Sequence, residues 1–503
     1  MSFVDSFLPF ALVLIPAVLG VLILALPEKQ RGLQLSALVV GAGATFVLAL
    51  TTLGQSLEFT RAWAGWGMDF SLKLTVTCGA LVVAASALTL VVAALAALPK
   101  RLPEKSRLFS GCVLLALSMA NGALQANNLV AMLFFWQAMW APVFGMIKAG
   151  GENAWKSSVK AVFTAGFADL MLILGLGLSS VAAESMTIDY MHAHPGALGT
   201  MGFLLMAVGA VAKLGAIPFH GWLYAASEDA PSPFMGLVPG GLNLLMGANL
   251  LSKFPGIFDA AAFPGATFLI LFAGVGTVLL GGMLAMSADG YKKQAVALNA
   301  AQAGALVLGA TSRAGGAFVP VVIVAAAAGC CLYLTAGILD ARKPGKSSPA
   351  SLLYSTAAGA SVAVVFIGSL IRVSLYESWP GLILTVVALF GAIFSVAGIL
   401  GLIRSGRGDS PNAEPFFDLG AAQVWLDRTL ADPYPAAASF IKRYADVSLK
   451  VNDAISWFYD VGVVWFIGFL SSLIKRAHNG SQSRYVIWVL VGSVAVIAIF
   501  ALS

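Results

Sequence analysis

Apolar runs of membrane-crossing length recur along almost the whole chain, and they decide what it can fold into. They lie near residues 7–27, 33–54, 73–98, 108–126, 128–149, 158–183, 199–222, 232–253, 263–286, 292–311, 315–340, 351–373, 379–403 and 484–502. A bilayer core takes about 20 apolar residues per helix, so the pattern predicts an all-α polytopic membrane protein of about 14 transmembrane helices. Helices follow because the backbone has no water to bond with in hydrocarbon and must satisfy itself. The composition agrees: 59% of the 503 residues are hydrophobic, only 10% are charged, and the mean hydropathy is +0.90. That balance excludes a soluble globular enzyme. The first run has no basic segment before it and no small-residue cleavage site, and reads as a first span rather than a removed signal.

The run Met201–Lys253 carries two features that an inert anchor would avoid. Lys213 sits deep in it, where a charge costs about 3 kcal/mol or more unless it faces a cavity or a partner. Pro218 follows five residues later, has no N–H to give to the carbonyl of Leu214, and should break the helix. Non-helical backbone at that depth is tolerated only where it lines water or is buried in protein. Charge and break together predict an ion path. The competing reading is a lysine that snorkels to the interface.

The net charge of +6 comes from cations scattered through short loops, which report orientation and not nucleic-acid binding. Lys29, Arg31, Lys100, Arg101, Lys105, Arg107, Lys148, Lys292, Lys293, Arg342, Lys343 and Lys346 fall on alternate loops of one side. The opposite side holds few cations, and its loop at 184–200 carries Glu184 and Asp189 without Lys or Arg. The positive-inside rule therefore places the basic loops in the cytoplasm and both termini on the non-cytoplasmic face of the cell inner membrane. Cys78, Cys112, Cys330 and Cys331 lie inside apolar runs without metal-ligand spacing, so no metal site is expected.

Residues 404–480 break the pattern. They begin polar and then turn amphipathic, with Phe440, Tyr444, Val447, Val451, Ile455 and Phe458 at helical spacing. A helix of this kind lies along a membrane surface or along neighbouring subunits.

The residues KLGAIPFHGWL, followed by EDAPSP, resemble the signature of the antiporter-like membrane subunits of respiratory complex I. Mrp-type cation/proton antiporters and the membrane subunits of membrane-bound hydrogenase and formate hydrogenlyase are related to these. Lys213, Pro218, Phe219, His220, Trp222, Leu223, Glu228, Pro231 and Pro233 carry the match. KAVFTAGFAD (160–169), DGYKKQAVALNAAQAG (289–304) and LYLTAG (332–337) extend it, and SRYVIWVLVG (483–492) is similar to the start of the last span. The surface helix followed by one more span resembles the L-type subunit with its lateral helix. The resemblance implies two inverted five-helix repeats with discontinuous helices. The boundaries that follow are N-terminal spans 1–107, repeats 108–253 and 263–403, a lateral segment 404–480 that clasps neighbouring subunits, and a final span 481–503.

The resemblance also implies a function: a membrane-arm subunit that moves protons, or sodium ions, driven by redox chemistry in partner subunits. It would be at most a non-catalytic part of a translocase of the NADH:quinone oxidoreductase or hydrogenase kind. No quinone, flavin, haem or iron–sulfur signature occurs, so no cofactor and no catalytic residue is expected. Lys213 would be the exchanging base, Asp169 and His220 its relays, and Lys160, Glu228 and Lys292 further path candidates. Each has a plainer reading: Lys160 as an interfacial anchor, Asp169 as a helix-pairing group, His220 as a core histidine, Glu228 and Lys292 as solvated loop charges. The chain departs from the family at three points. Gln137 follows Trp136 where a glutamate is expected, Pro239 stands at a histidine or lysine position, and Gly329 at a lysine position. These losses predict a partly degenerate path with an apolar central axis. They keep two alternatives open: a non-conducting assembly subunit, or a partner of an inorganic-carbon uptake system.

Overall fold

The computed structural model describes residues 3–62, 69–98, 103, 105–152, 154–288, 290–310, 318–342, 349–373 and 390–396, with Trp465 and Ser472. The chain divides into two units, Met1–Tyr434 and Pro435–Ser503, and nearly all described residues belong to the first. Most of the segment predicted as a lateral helix (404–480), the final span (481–503) and most of the run 379–403 lie outside the described residues.

Among the described residues, 10 helices are long and apolar enough to cross a membrane. The chain runs through α1 (Phe3–Ala25), α2 (Arg31–Thr51), a hairpin of β1 (Leu57–Ala62) and β2 (Asp69–Leu74), α3 (Val76–Ala96) and α4 (Ser106–Gln125). Next come α5 (Leu129–Ala138), α6 (Trp140–Lys148), α7 (Ala154–Ala183), α8 (Ala197–Lys213), α9 (Gly221–Asp229) and α10 (Ser232–Leu237). After a π-helical turn at Val238–Leu242 follow α11 (Asn243–Ser252), α12 (Phe254–Ile257), α13 (Pro264–Ser287), α14 (Tyr291–Ala310), α15 (Val319–Arg342) and α16 (Pro349–Val373). The outer faces of α1, α2, α7 and α13 expose large apolar side chains, among them Val21, Val40, Leu174, Phe268 and Phe272. Such a surface suits lipid and not water.

Several sequence-predicted spans are subdivided. The run 128–149 is two helices meeting at Met139, and the run 232–253 is α10, a π turn and α11. Pro239 lies in that π turn; without an N–H it cannot extend an ordinary ladder, and the widened turn accommodates it. Helices α7 and α8 lie close together because Gly209 has no side chain. A Cβ there would stand 2.6 Å from the Cβ of Leu172. Small residues of this kind let helices approach in membranes, where no hydrophobic drive pulls them together.

The hairpin is a feature the span pattern did not predict. Leu57 pairs with Leu74 and Ala62 with Asp69 in antiparallel register. Phe59 stacks on Phe10 of α1 at 4.9 Å, and Phe70 meets Phe135 of α5 edge-on at 5.8 Å. Isolated bridges join Leu72 to Ala126 and Asn128 to Thr187, so the hairpin stitches three loops at one end of the helices. Elsewhere, Arg107 bonds the Leu26 carbonyl at 3.3 Å and Glu28 at 3.2 Å, which draws two of the basic loops together.

Candidate functional site

Helix α8 ends at Lys213 itself. Leu214 caps it, Gly215 follows with φ +75°, and the helix resumes only at Gly221. The positive φ is why glycine occupies 215. The lysine thus sits in the last turn of a half-helix, where the negative end of the backbone dipole favours a cation. Its side chain is 4% exposed, so the amine does not reach the headgroups.

The counter-charge sits across two tryptophans. Trp136 on α5 donates its indole N–H to one carboxylate oxygen of Asp169 at 2.8 Å. Trp140 on α6 donates its own to the other oxygen. The Lys213 ammonium lies over the same two rings, 4.9 Å from the centre of Trp136 and 4.7 Å from that of Trp140. It has no hydrogen-bond partner among the described residues. Each indole therefore presents its electron-rich face to the cation and its N–H edge to the anion. An N–H that donates to a carboxylate gains electron density in its ring, so the two contacts reinforce each other. Spacing of four residues brings both indoles to one side of the α5–α6 segment. Asp169, 2% exposed, stands mid-way along α7.

The remaining sequence-predicted residues are scattered. His220 starts α9, is fully buried, and meets Tyr224 edge-on at 5.7 Å; neither ring nitrogen has a hydrogen-bond partner among the described residues. Lys160 lies nine residues before Asp169 on α7, about two and a half turns, and so on the opposite face. Glu228 is exposed on the last turn of α9, while its neighbour Asp229 accepts a bond from Ser157. Lys292 pairs with Asp340 at 2.9 Å near the start of α14. The structure brings together Lys213 and Asp169, and places Lys160, Glu228 and Lys292 elsewhere.

The degenerate positions behave differently from the sequence expectation. Gln137 has its amide nitrogen buried without a partner among the described residues, and the carboxylate that faces Lys213 across the indoles is that of Asp169. Gly329 packs on the π turn, where a Cβ would stand 2.5 Å from the Gly240 carbonyl. The axis beyond the break is not apolar, as the losses predicted; it holds buried neutral polar groups. Asn299 is fully buried with both amide atoms unpartnered among the described residues, and lies between Gly215 and Gly329. Gln302 donates to Ser361, and Tyr354 donates to Gln294 at 2.9 Å. Sequence reading missed the roles of Trp136, Trp140 and Asn299. The Trp-x-x-x-Trp spacing was a visible signal for the first two.

The NADH:quinone oxidoreductase/Mrp antiporter transmembrane family model matches residues 126–344. NAD(P)H-quinone oxidoreductase chain 4-2 of Synechocystis sp. is 24% identical over 318 residues, 60% of this chain and 56% of that relative, so the chain spans a little over half the length of that relative. The fold is shared with a chain of the Mrp complex from Dietzia sp. at TM-score 0.69, 19% identity and 82% and 81% coverage of the two chains. It is shared also with a chain of respiratory complex I from Thermus thermophilus, at TM-score 0.64, 21% identity and 84% and 93% coverage.

Proposed function

We propose that this chain works as an antiporter-like membrane subunit of the complex I and Mrp type, and that it contributes to proton translocation within a multi-subunit membrane complex powered by redox chemistry in its partners. The observation that carries the proposal is the Lys213–Trp136/Trp140–Asp169 assembly at the end of a broken helix. A buried ammonium with no hydrogen-bond acceptor is held by ring faces and by a carboxylate behind them. It can be discharged and recharged without breaking a direct salt bridge, and each change is felt by Asp169. Protons suit the site better than sodium ions, because both carboxylate oxygens already face N–H donors and do not form an oxygen cage.

On this reading the repeats 108–253 and 263–403 divide the work unequally. The first holds the exchangeable charge; the second holds neutral amides and Gly329, and its path is partly degenerate. The lateral segment 404–480 would clasp neighbouring subunits in the L-type manner, with both termini on the non-cytoplasmic face of the inner membrane. The uncharged lining of the second half also favours a second reading, a non-conducting subunit kept for assembly.

The intact complex, reconstituted in vesicles and driven by its own electron donor, separates the two. Translocation requires that Lys213→Ala lower the number of protons moved per electron pair while redox turnover persists. An assembled variant with unchanged stoichiometry supports the assembly role.

A further inference from the structure

A cavity of about 280 Å³ opens at the hairpin end, and none of Trp136, Trp140, Asp169 and Lys213 lines it. Its polar lining comes from Lys73, Thr75, Thr77, Asn249, Ser252 and Lys253. The Lys253 ammonium gives one N–H to the Ala126 carbonyl at 3.0 Å and forms no ion pair among the described residues. An ammonium has three donors, so two stay available. Asp189, which also lines the cavity, is already engaged: Lys73 pairs with it, and the Asn127 amide, oriented so that both its ends are satisfied, donates to its two oxygens at 3.1 and 3.3 Å. Two cations and one committed carboxylate leave the cavity with an excess positive charge. The first turn of α3, a helix of 21 residues, adds the N–H groups of Val76 and Thr77, which have no preceding helix carbonyl to bond; Thr75 caps only Cys78, at 3.2 Å. Its dipole points the same sign of charge at the cavity.

We propose that this cavity is a binding site for a phosphate-class oxyanion, held between the ammoniums of Lys73 and Lys253, with the hydrogen-bonded hydroxyls of Thr75 and Thr77 beside it, one of which keeps its O–H free to donate. Lys253 is partly withdrawn from water, and an oxyanion supplies the ion pair it lacks among the described residues. The volume admits one tetrahedral oxyanion with several waters. The same chemistry is offered by free inorganic phosphate and by the headgroup of an acidic phospholipid. The site shares no residue with the Lys213–Asp169 assembly, and its test does not depend on pumping.

The test uses the purified intact complex carrying wild-type chain, Lys253→Gln, Lys73→Gln or, as a control at the far end of α6, Lys148→Gln. Thermal unfolding is followed with inorganic phosphate titrated at constant ionic strength, and again in nanodiscs of phosphatidylcholine with and without phosphatidylglycerol. Phosphorus co-purifying with the delipidated protein is counted. Stabilisation by free phosphate that is about tenfold weaker in each cavity variant, and unaltered in the control, supports the proposal with a soluble oxyanion. Stabilisation by phosphatidylglycerol alone, with bound phosphorus lost from the cavity variants, supports it with a lipid headgroup. Equal responses of wild type and variants to both probes overturn it. Lys73→Gln, altering a partly exposed side chain, keeps the test decisive if Lys253→Gln fails to assemble.

Discussion

The two halves of the described helices handle buried polarity in opposite ways. Around α5–α8 a lysine amine and a carboxyl group are buried together, separated by two indoles. Around α14–α16 the buried groups are amides and hydroxyls, Asn299, Gln302, Gln294, Tyr354 and Ser361, with Gly329 where the family resemblance implies a lysine. Amides hold water and pass hydrogen bonds, but they do not keep a proton. The contrast teaches that two helical regions of one chain can bury polarity by different means: ionisable side chains in the first, neutral amides and hydroxyls in the second.

The largest expected effect comes from removing one charge of the first half. Asp169→Asn leaves Lys213 buried and uncompensated, a change that typically costs about 3–5 kcal/mol, and it should lower both the unfolding temperature and the proton yield per electron pair. Next comes the indole edge. Trp140→Phe keeps a ring beneath Lys213 and deletes one N–H to Asp169, so a loss of about 1.5–3 kcal/mol in chemical or thermal unfolding is expected. If Trp140→Phe matches wild type, the N–H contact is not what holds the carboxylate. A change in the second half should be felt through packing alone. Gly329→Ala places a Cβ 2.5 Å from the Gly240 carbonyl, and overpacking of that kind costs about 1–3 kcal/mol without a specific loss of proton yield.

The smallest effect belongs to the hairpin end. Hydrogen bonding to Asp189 holds the Lys73 ammonium above its ordinary pKa, with partial burial opposing. A group whose pKa is raised on folding contributes fully below its unfolded pKa and loses that contribution as pH climbs through the folded value. The Lys73–Asp189 pair should therefore persist through neutral pH and fade only in the alkaline range. Its partners are 33% and 39% exposed, so Lys73→Gln should cost no more than about 1 kcal/mol at neutral pH and nothing extra at high pH. Paired thermal melts at neutral and alkaline pH check this.

Ten of the spans, the break after Lys213 and the depth of Asp169 were legible because each depends on local sequence: hydropathy over about 20 residues, one proline, one charge. The hairpin was not, since six-residue strands such as LEFTRA and DFSLKL vanish inside a search for long apolar windows. Asp169 was named as a relay of Lys213, but the way it reaches the lysine was not legible: the carboxylate comes from α7, 33 residues beyond Trp136, and only tertiary packing places two indoles between them. Asn299 carried no signal in its own neighbourhood; its place between Gly215 and Gly329 arises where three distant segments meet.

A double-mutant cycle of Lys213→Met and Asp169→Asn, read by unfolding free energy of the intact complex, reaches the centre of this account. Mutual compensation across the indoles predicts that the double variant is no less stable than either single variant, a coupling at least as large as the Asp169→Asn loss of about 3 kcal/mol. Losses that simply add would mean that the ammonium and the carboxylate do not sense each other, and the charge-holding role of the first half would fall with them.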